Sequence, residues 1–92
     1  DEFVLHQNYP NPFNPSTEIK FSLPSSERVH LVVYDLLGNV VREMVNEDLN
    51  AGMYTYKWMG ENQNGIRVSA GMYFYQIQAG SFIQTRKMIL LK

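Results

Sequence analysis

Apolar and polar residues alternate with a period of two through most of this chain, and no helical spacing persists beyond a single turn. Such a pattern commits the backbone to short strands, each with one face for a core and one for water. Ile19, Phe21 and Leu23 share one face of a strand that begins at Thr17. Pro24-Ser25-Ser26 ends it, because Pro24 has no N–H to give to a ladder. In residues 29–35, Val29, Leu31 and Val33 face one way and His30, Val32 and Tyr34 the other. Gly38-Asn39 supplies the positive φ for a reversal into residues 40–45.

Beyond Leu49-Asn50-Ala51-Gly52, a heavier strand sets Tyr54, Tyr56 and Trp58 against Met53, Thr55, Lys57 and Met59. Asn64-Gly65 is the strongest turn dipeptide, followed by a short strand at Ile66-Arg67-Val68 and a second reversal at Ser69-Ala70-Gly71. Residues 72–78 and 82–91 flank Ala79-Gly80-Ser81, which reads as a hairpin with a three-residue loop. About seven strands result, the number of an immunoglobulin-like antiparallel β-sandwich, so the expected fold class is all-β. Composition agrees: Val, Ile, Thr, Phe, Tyr and Trp total 28 residues and Ala only three, which suits pleated surfaces better than helices. Trp58, Tyr73 and Tyr75 are the expected aromatic core.

Residues 1–16 follow another rule, since Pro10, Pro12 and Pro15 fall within six positions. No long strand or helix survives that density, and an extended polyproline-like path is expected, with Asn8, Asn11 and Asn14 bonding to nearby backbone. Tyr9 and Phe13 are the natural anchors, with Pro10, Asn11 and Pro12 between them, and would press this arm onto an edge of the sandwich. Val4 and Leu5 begin a short edge strand. The organisation expected is an arm over residues 1–16 and a sandwich over 17–92, in one domain.

Charge and residue inventory exclude several functions. Eight Lys and Arg against nine Asp and Glu leave a formal charge of −1, no footprint for nucleic acid. No apolar run approaches the ~20 residues that cross a bilayer, and no signal peptide is expected. The lack of cysteine removes disulfides, thiolate zinc sites and cysteine nucleophiles. His6 and His30 stand apart from any serine motif, so no catalytic residue, cofactor or small-molecule substrate is expected. Glu61, Asn62 and Asn64 ahead of Gly65 carry a single carboxylate, which favours a plain turn over a calcium loop.

Gln7-Asn8-Tyr9-Pro10-Asn11-Pro12-Phe13-Asn14-Pro15-Ser16-Thr17 is too particular a phrase for a generic loop. It resembles the type A C-terminal sorting domain of type IX secretion. The likeness continues through Ile19-Lys20-Phe21-Ser22-Leu23-Pro24, Val33-Tyr34-Asp35-Leu36-Leu37-Gly38, Ala51-Gly52, Trp58, Asn64-Gly65, Gly71-Met72-Tyr73-Phe74-Tyr75 and Arg86-Lys87-Met88-Ile89-Leu90-Leu91-Lys92. It departs at Met59-Gly60-Glu61-Asn62, where related sequences commonly carry Asp. The resemblance implies a non-catalytic address that sends its cargo through the outer-membrane translocon of a Gram-negative bacterium. A sortase-like peptidase then removes it, and the cargo is released or anchored at the cell surface. The fold is also similar to the Ig-like domain of flagellar hook-capping proteins, but the Asn-Pro arm and the closing strand favour sorting.

That closing strand carries large apolar groups on both faces at Met88, Ile89, Leu90 and Leu91, bracketed by Arg86, Lys87 and Lys92. A sandwich strand has one interior, so either half of these side chains face outward or a loop or the N-terminal arm covers the second face; the resemblance favours the former and implies that the seven residues are the candidate recognition surface for the translocon. A partner would add a strand to this edge or take the outward side chains into a groove. The alternative function is a carbohydrate-binding or adhesion module with Tyr54, Tyr56 and Trp58 as a stacking platform, although interior packing is the stronger reading of those aromatics.

Overall fold

Seven strands, punctuated by proline and glycine, make up the computed structural model, which describes residues 2–91. They are β1 (Val4–Leu5), β2 (Thr17–Leu23), β3 (Glu27–Tyr34), β4 (Val40–Leu49), β5 (Gly52–Trp58), β6 (Gly71–Ala79) and β7 (Phe82–Leu90). Two antiparallel sheets result, one in the order β1-β2-β5 and the other β4-β3-β6-β7. The fold is the expected all-β sandwich.

The period-two pattern sets which side chains meet between the sheets. Ile19, Phe21 and Leu23 of β2 face Val29, Leu31 and Val33 of β3 and Tyr73, Tyr75 and Ile77 of β6 across a shared core. Trp58 closes one end of it, 2% exposed, with its indole N–H donating to the Glu61 carbonyl at 2.9 Å. Its ring meets Tyr73 edge-on at 5.5 Å between centroids and Phe13 at 5.8 Å. Tyr54 and Tyr56 are half-buried and stack on Phe21 at 5.5 and 5.9 Å.

Three local expectations need correction. Ile66-Arg67-Val68 is not a strand: a single bridge joins Arg67 to Glu61, and Val68 N–H donates to Gly60 O at 2.9 Å. The segment finds that one bridge partner and no continuing neighbour, and the seventh strand is β1, which pairs with β2 over two residues. The last hairpin has the two-residue loop Gly80-Ser81, since Ala79 pairs with Phe82. Gly80 at φ +61° opens a type II′ turn, whose twist matches that of its strands. The arm bends at residues 10–12 and again at 14–15 instead of running as one polyproline stretch, with cis peptide bonds before Pro10, Pro12 and Pro15.

Candidate functional site

Buried polar chemistry fixes the arm. Asn8 and Thr17 are almost wholly buried. Asn8 Nδ2 donates to Thr17 Oγ1 at 2.9 Å and to Pro10 O at 3.2 Å, while Thr17 Oγ1 donates to Pro10 O at 2.8 Å. Asn8 N–H donates to Tyr75 Oη at 2.7 Å, and that phenol donates to His6 O, also at 2.7 Å. Every buried side-chain N or O among the described residues has a partner, as a polar group held away from water requires. Burial pushes the Tyr75 phenol up to about 12, against smaller opposing effects of the Asn8 N–H and the Arg86 charge.

Of the expected arm anchors, Phe13 is buried against Trp58. Tyr9 is not: the residue is 81% exposed. It holds the arm by its backbone, donating to Glu18 O at 3.0 Å and accepting from Glu18 N–H at 2.9 Å, because Asn8 occupies the inward position beside it. Pro10, Asn11 and Pro12 are exposed as well, though Asn11 Oδ1 accepts from Ile89 N–H at 3.0 Å.

The arm ends on the outer edge of β7. Phe13 pairs with this strand in parallel, its N–H donating to Ile89 O at 3.0 Å and its carbonyl accepting from Leu91 N–H at 2.8 Å. Gln7 Nε2 donates to Lys87 O at 2.8 Å. The edge from Lys87 to Leu91 is therefore occupied by the chain itself, which corrects the expectation that a partner adds a strand at that stretch.

Within the closing strand, Met88 and Leu90 belong to the core, whereas Lys87, Ile89 and Leu91 face outward. Arg86 is half-buried, with Nε donating to Leu5 O at 2.7 Å, so it serves the arm. Lys87 is exposed and has no acidic partner among the described residues, where the ion pairs are Arg28 with Asp48 and His30 with Glu43. Lys92 lies outside the described residues.

A second segment lies at the same end of the sandwich, against the start of β6. Asp35 Oδ1 accepts from the N–H groups of Leu37 and Asn39, each at 2.9 Å, and Oδ2 accepts from Asn39 Nδ2 at 3.3 Å. Those bonds, the Asn39 N–H first, hold the Asp35 carboxyl below the usual range. The turn so pinned presents Leu36 and Leu37 to solvent, Leu37 at 86% exposure. A groove of about 220 Å³ separates it from residues 69–73 and includes Met72 and Tyr73 in its walls. Tyr73 Oη donates to Ser69 O at 2.6 Å, and burial, then the Asp35 charge, raises its pKa.

On the outer face of the four-stranded sheet, Met72 stands beside Ile89, Phe74 beside Lys87 and Tyr34, and Tyr34 beside Val40. Gly60 seals the junction from within. It is buried at φ +70°, and a Cβ there would lie 3.4 Å from both Leu90 Cδ2 and Pro15 O. Segments near residues 11–15, 35–38, 71–73 and 87–91 thus converge on one end of the sandwich. Leu36, Leu37 and Met72 were absent from the candidate residues; the usable signal was a pair of leucines inside an Asp-Gly turn, where polar residues are ordinary.

Among the described residues no three His, Asp or Glu cluster as metal ligands. In the loop at 61–65, Asn62 Oδ1 accepts from the N–H groups of Asn64 and Ile66, and Asn62 O accepts from Arg42 Nη1. These bonds describe a turn. Trp58 is interior, so the three aromatics of β5 form no stacking platform.

Among solved structures, dimeric latent PorU from Porphyromonas gingivalis superposes with a TM-score of 0.73 at 21% identity over 97% of this chain and 9% of its own. PorZ from the same organism gives 0.66 at 16% identity over 96% and 11%. FLGD from P. aeruginosa gives 0.62 at 25% identity over 80% and 58%. The chain thus spans a small part of PorU and PorZ and just over half of FLGD. No curated protein matches it. Residues 10–81, from the arm to the last hairpin, match the family model of the FlgD Ig-like domain, and the chain belongs to that family.

Proposed function

We propose that this domain is a type A sorting domain of type IX secretion: a folded, non-catalytic address whose surface is the end of the sandwich built by the arm, the Asp35 turn, the start of β6 and the end of β7. One observation carries the reading. Sequence segments that resemble the sorting family, far apart in the chain, come together there and leave Leu36, Leu37, Ile89 and Leu91 exposed at the same end as Lys87, which has no acidic partner among the described residues. A monomeric domain rarely leaves so many large apolar groups at one end unless something covers them. PorZ, a neighbour in fold, is described as an essential bacterial surface component of the type IX secretion system. That description supports the same context here.

On this reading, residues 1–16 are the clasp and residues 17–92 the sandwich of a C-terminal module of a longer protein. Its partners are the outer-membrane translocon and a sortase-like peptidase, and its cargo passes through the periplasm to the surface of a Gram-negative cell. The carbohydrate-binding alternative is weakened by the burial of Trp58. The test is export of a neutral reporter fused ahead of the domain in a type IX-competent host. Lys87→Glu combined with Lys92→Glu is expected to melt normally and to export poorly. A reporter that leaves the cell equally well with and without the domain would end the address reading.

A further inference from the structure

We propose that the stretch of β7 edge left open beside the arm, at Ile83 and Thr85, is a docking strand onto which the partner adds an extended segment of its own backbone. The inference rests on the address reading and names how that address is held.

β7 is the outermost strand of its sheet. Along an antiparallel strand, alternate residues turn their N–H and C=O toward the neighbour and away from it. Lys87, Ile89 and Leu91 are the outward set, as their bonds to Gln7, Asn11 and Phe13 demonstrate. Ile83 and Thr85 belong to the same set by parity, yet no backbone bond joins either to any described residue beyond β6. The arm passes nearby, with Phe3 stacked on Phe82 and Leu5 O accepting from Arg86 Nε, but its backbone makes no bond to either residue. A groove of about 340 Å³, lined by Gln7, Phe74, Thr85, Arg86 and Lys87, lies beside the open stretch.

The opposite outer strand is protected. β4 carries Arg42, Glu43, Glu47 and Asp48, and Gln63 Oε1 caps the Glu43 N–H at 2.7 Å. Charged side chains of this sort are how exposed edges avoid unwanted pairing. Ile83, 56% exposed, and Thr85 offer no such guard. Outward N–H and C=O groups repeating every second residue are matched by another strand, which fixes the occupant as extended backbone. Side chains on the outer face add a requirement. Ile83 is apolar and the Lys87 side chain has no acidic partner among the described residues, so the added strand carries an apolar residue beside Ile83 and, where it ends short of the backbone that Gln7 covers, an Asp or Glu to face that cation.

Thr85→Pro removes the outward N–H and leaves the ladder to β6, which uses residues 84 and 86, untouched. In the reporter fusion, export of the wild-type domain establishes the address, and its failure ends that reading independently. With wild-type export in place, Thr85→Pro is expected to melt as wild type and lower export about tenfold, the factor that one lost interface hydrogen bond supplies. Wild-type export of a folded Thr85→Pro variant overturns the docking strand and leaves the address standing. If that variant does not fold, amide exchange of the wild-type domain decides. On capture by detergent-solubilised outer membranes of the competent host, Ile83 and Thr85 should gain about tenfold protection. No gain at these two amides in the captured domain overturns the proposal.

Discussion

The backbone N–H of Asn8 donates to the phenol of Tyr75 at 2.7 Å, joining the arm to the centre of β6 across 67 positions of sequence. The same phenol donates to His6 O, so one hydroxyl serves two backbone groups of the arm. Tyr75→Phe keeps the ring and strands both. Loss of about 1–3 kcal/mol is expected, the ordinary cost of leaving buried donors and acceptors unpaired. Urea unfolding of the two proteins at neutral pH measures it. An unchanged midpoint would mean that water replaces the hydroxyl and that Phe13 and the arm's other hydrogen bonds suffice to hold it.

A pH dependence follows from the same group. Its folded pKa, about 12, lies above the ordinary tyrosine value near 10. The folded state therefore keeps its proton where the unfolded chain loses it. The stabilisation is complete below about pH 10 and declines as pH rises toward 12, by roughly 2–3 kcal/mol in total. Unfolding free energies at pH 9 and 11.5 should show the decline, and Tyr75→Phe should flatten much of it. A decline of equal size in the variant would assign the effect to Tyr56 and Tyr73, whose pKa values burial also raises.

Phe13 gives the arm its apolar hold. Its ring is buried beside Trp58, and its backbone bonds to Ile89 and Leu91 do not depend on its side chain. Phe13→Ala should cost about 3–5 kcal/mol by cavity formation, and a chain starting at Thr17 should melt well below the intact domain. Tyr9→Ala, at an exposed ring, should change stability by less than about 0.5 kcal/mol. Paired denaturation curves, with Trp58 fluorescence as the signal, separate the two positions. Equal losses would make Tyr9 an anchor after all.

What the sequence made legible follows from what alternation encodes. It groups the side chains of β2 and β3 by face and places Tyr73, Tyr75 and Trp58 in the core, but at residues 88–91 of β7, apolar on both faces, it does not say which half is inward. It does not encode a pairing partner, and Ile66-Arg67-Val68 has the pattern of a strand but only a single bridge. Polarity misled at the arm. Asn8 is inward and Tyr9 outward because four hydrogen bonds satisfy the amide and the N–H of Asn8, whereas a ring at that place would leave Thr17 Oγ1 and Tyr75 Oη with fewer partners. The covering of β7 by residues 7–13 joins positions about eighty apart, a relation that no local pattern carries.

The Asp35 turn supplies the most separable test of the proposed surface. Its shape comes from the carboxylate of Asp35, the amides it binds and Gly38 at φ +84°, and none of these bonds involves the side chains of Leu36 or Leu37. Leu36→Ser together with Leu37→Ser should therefore leave the turn, the sheets and the melting temperature nearly unchanged, since exposed side chains contribute less than about 0.5 kcal/mol each. If the end of the sandwich is what the export machinery grips, the loss of two large apolar contacts should cut reporter export strongly, because apolar groups packed at an interface carry much of its binding energy. The measurement is reporter in the culture medium, normalised to its total, alongside the melting curve of each purified domain. Normal export by the double variant, with a normal melt, would remove the Asp35 turn from the surface and confine recognition to β7 and the arm.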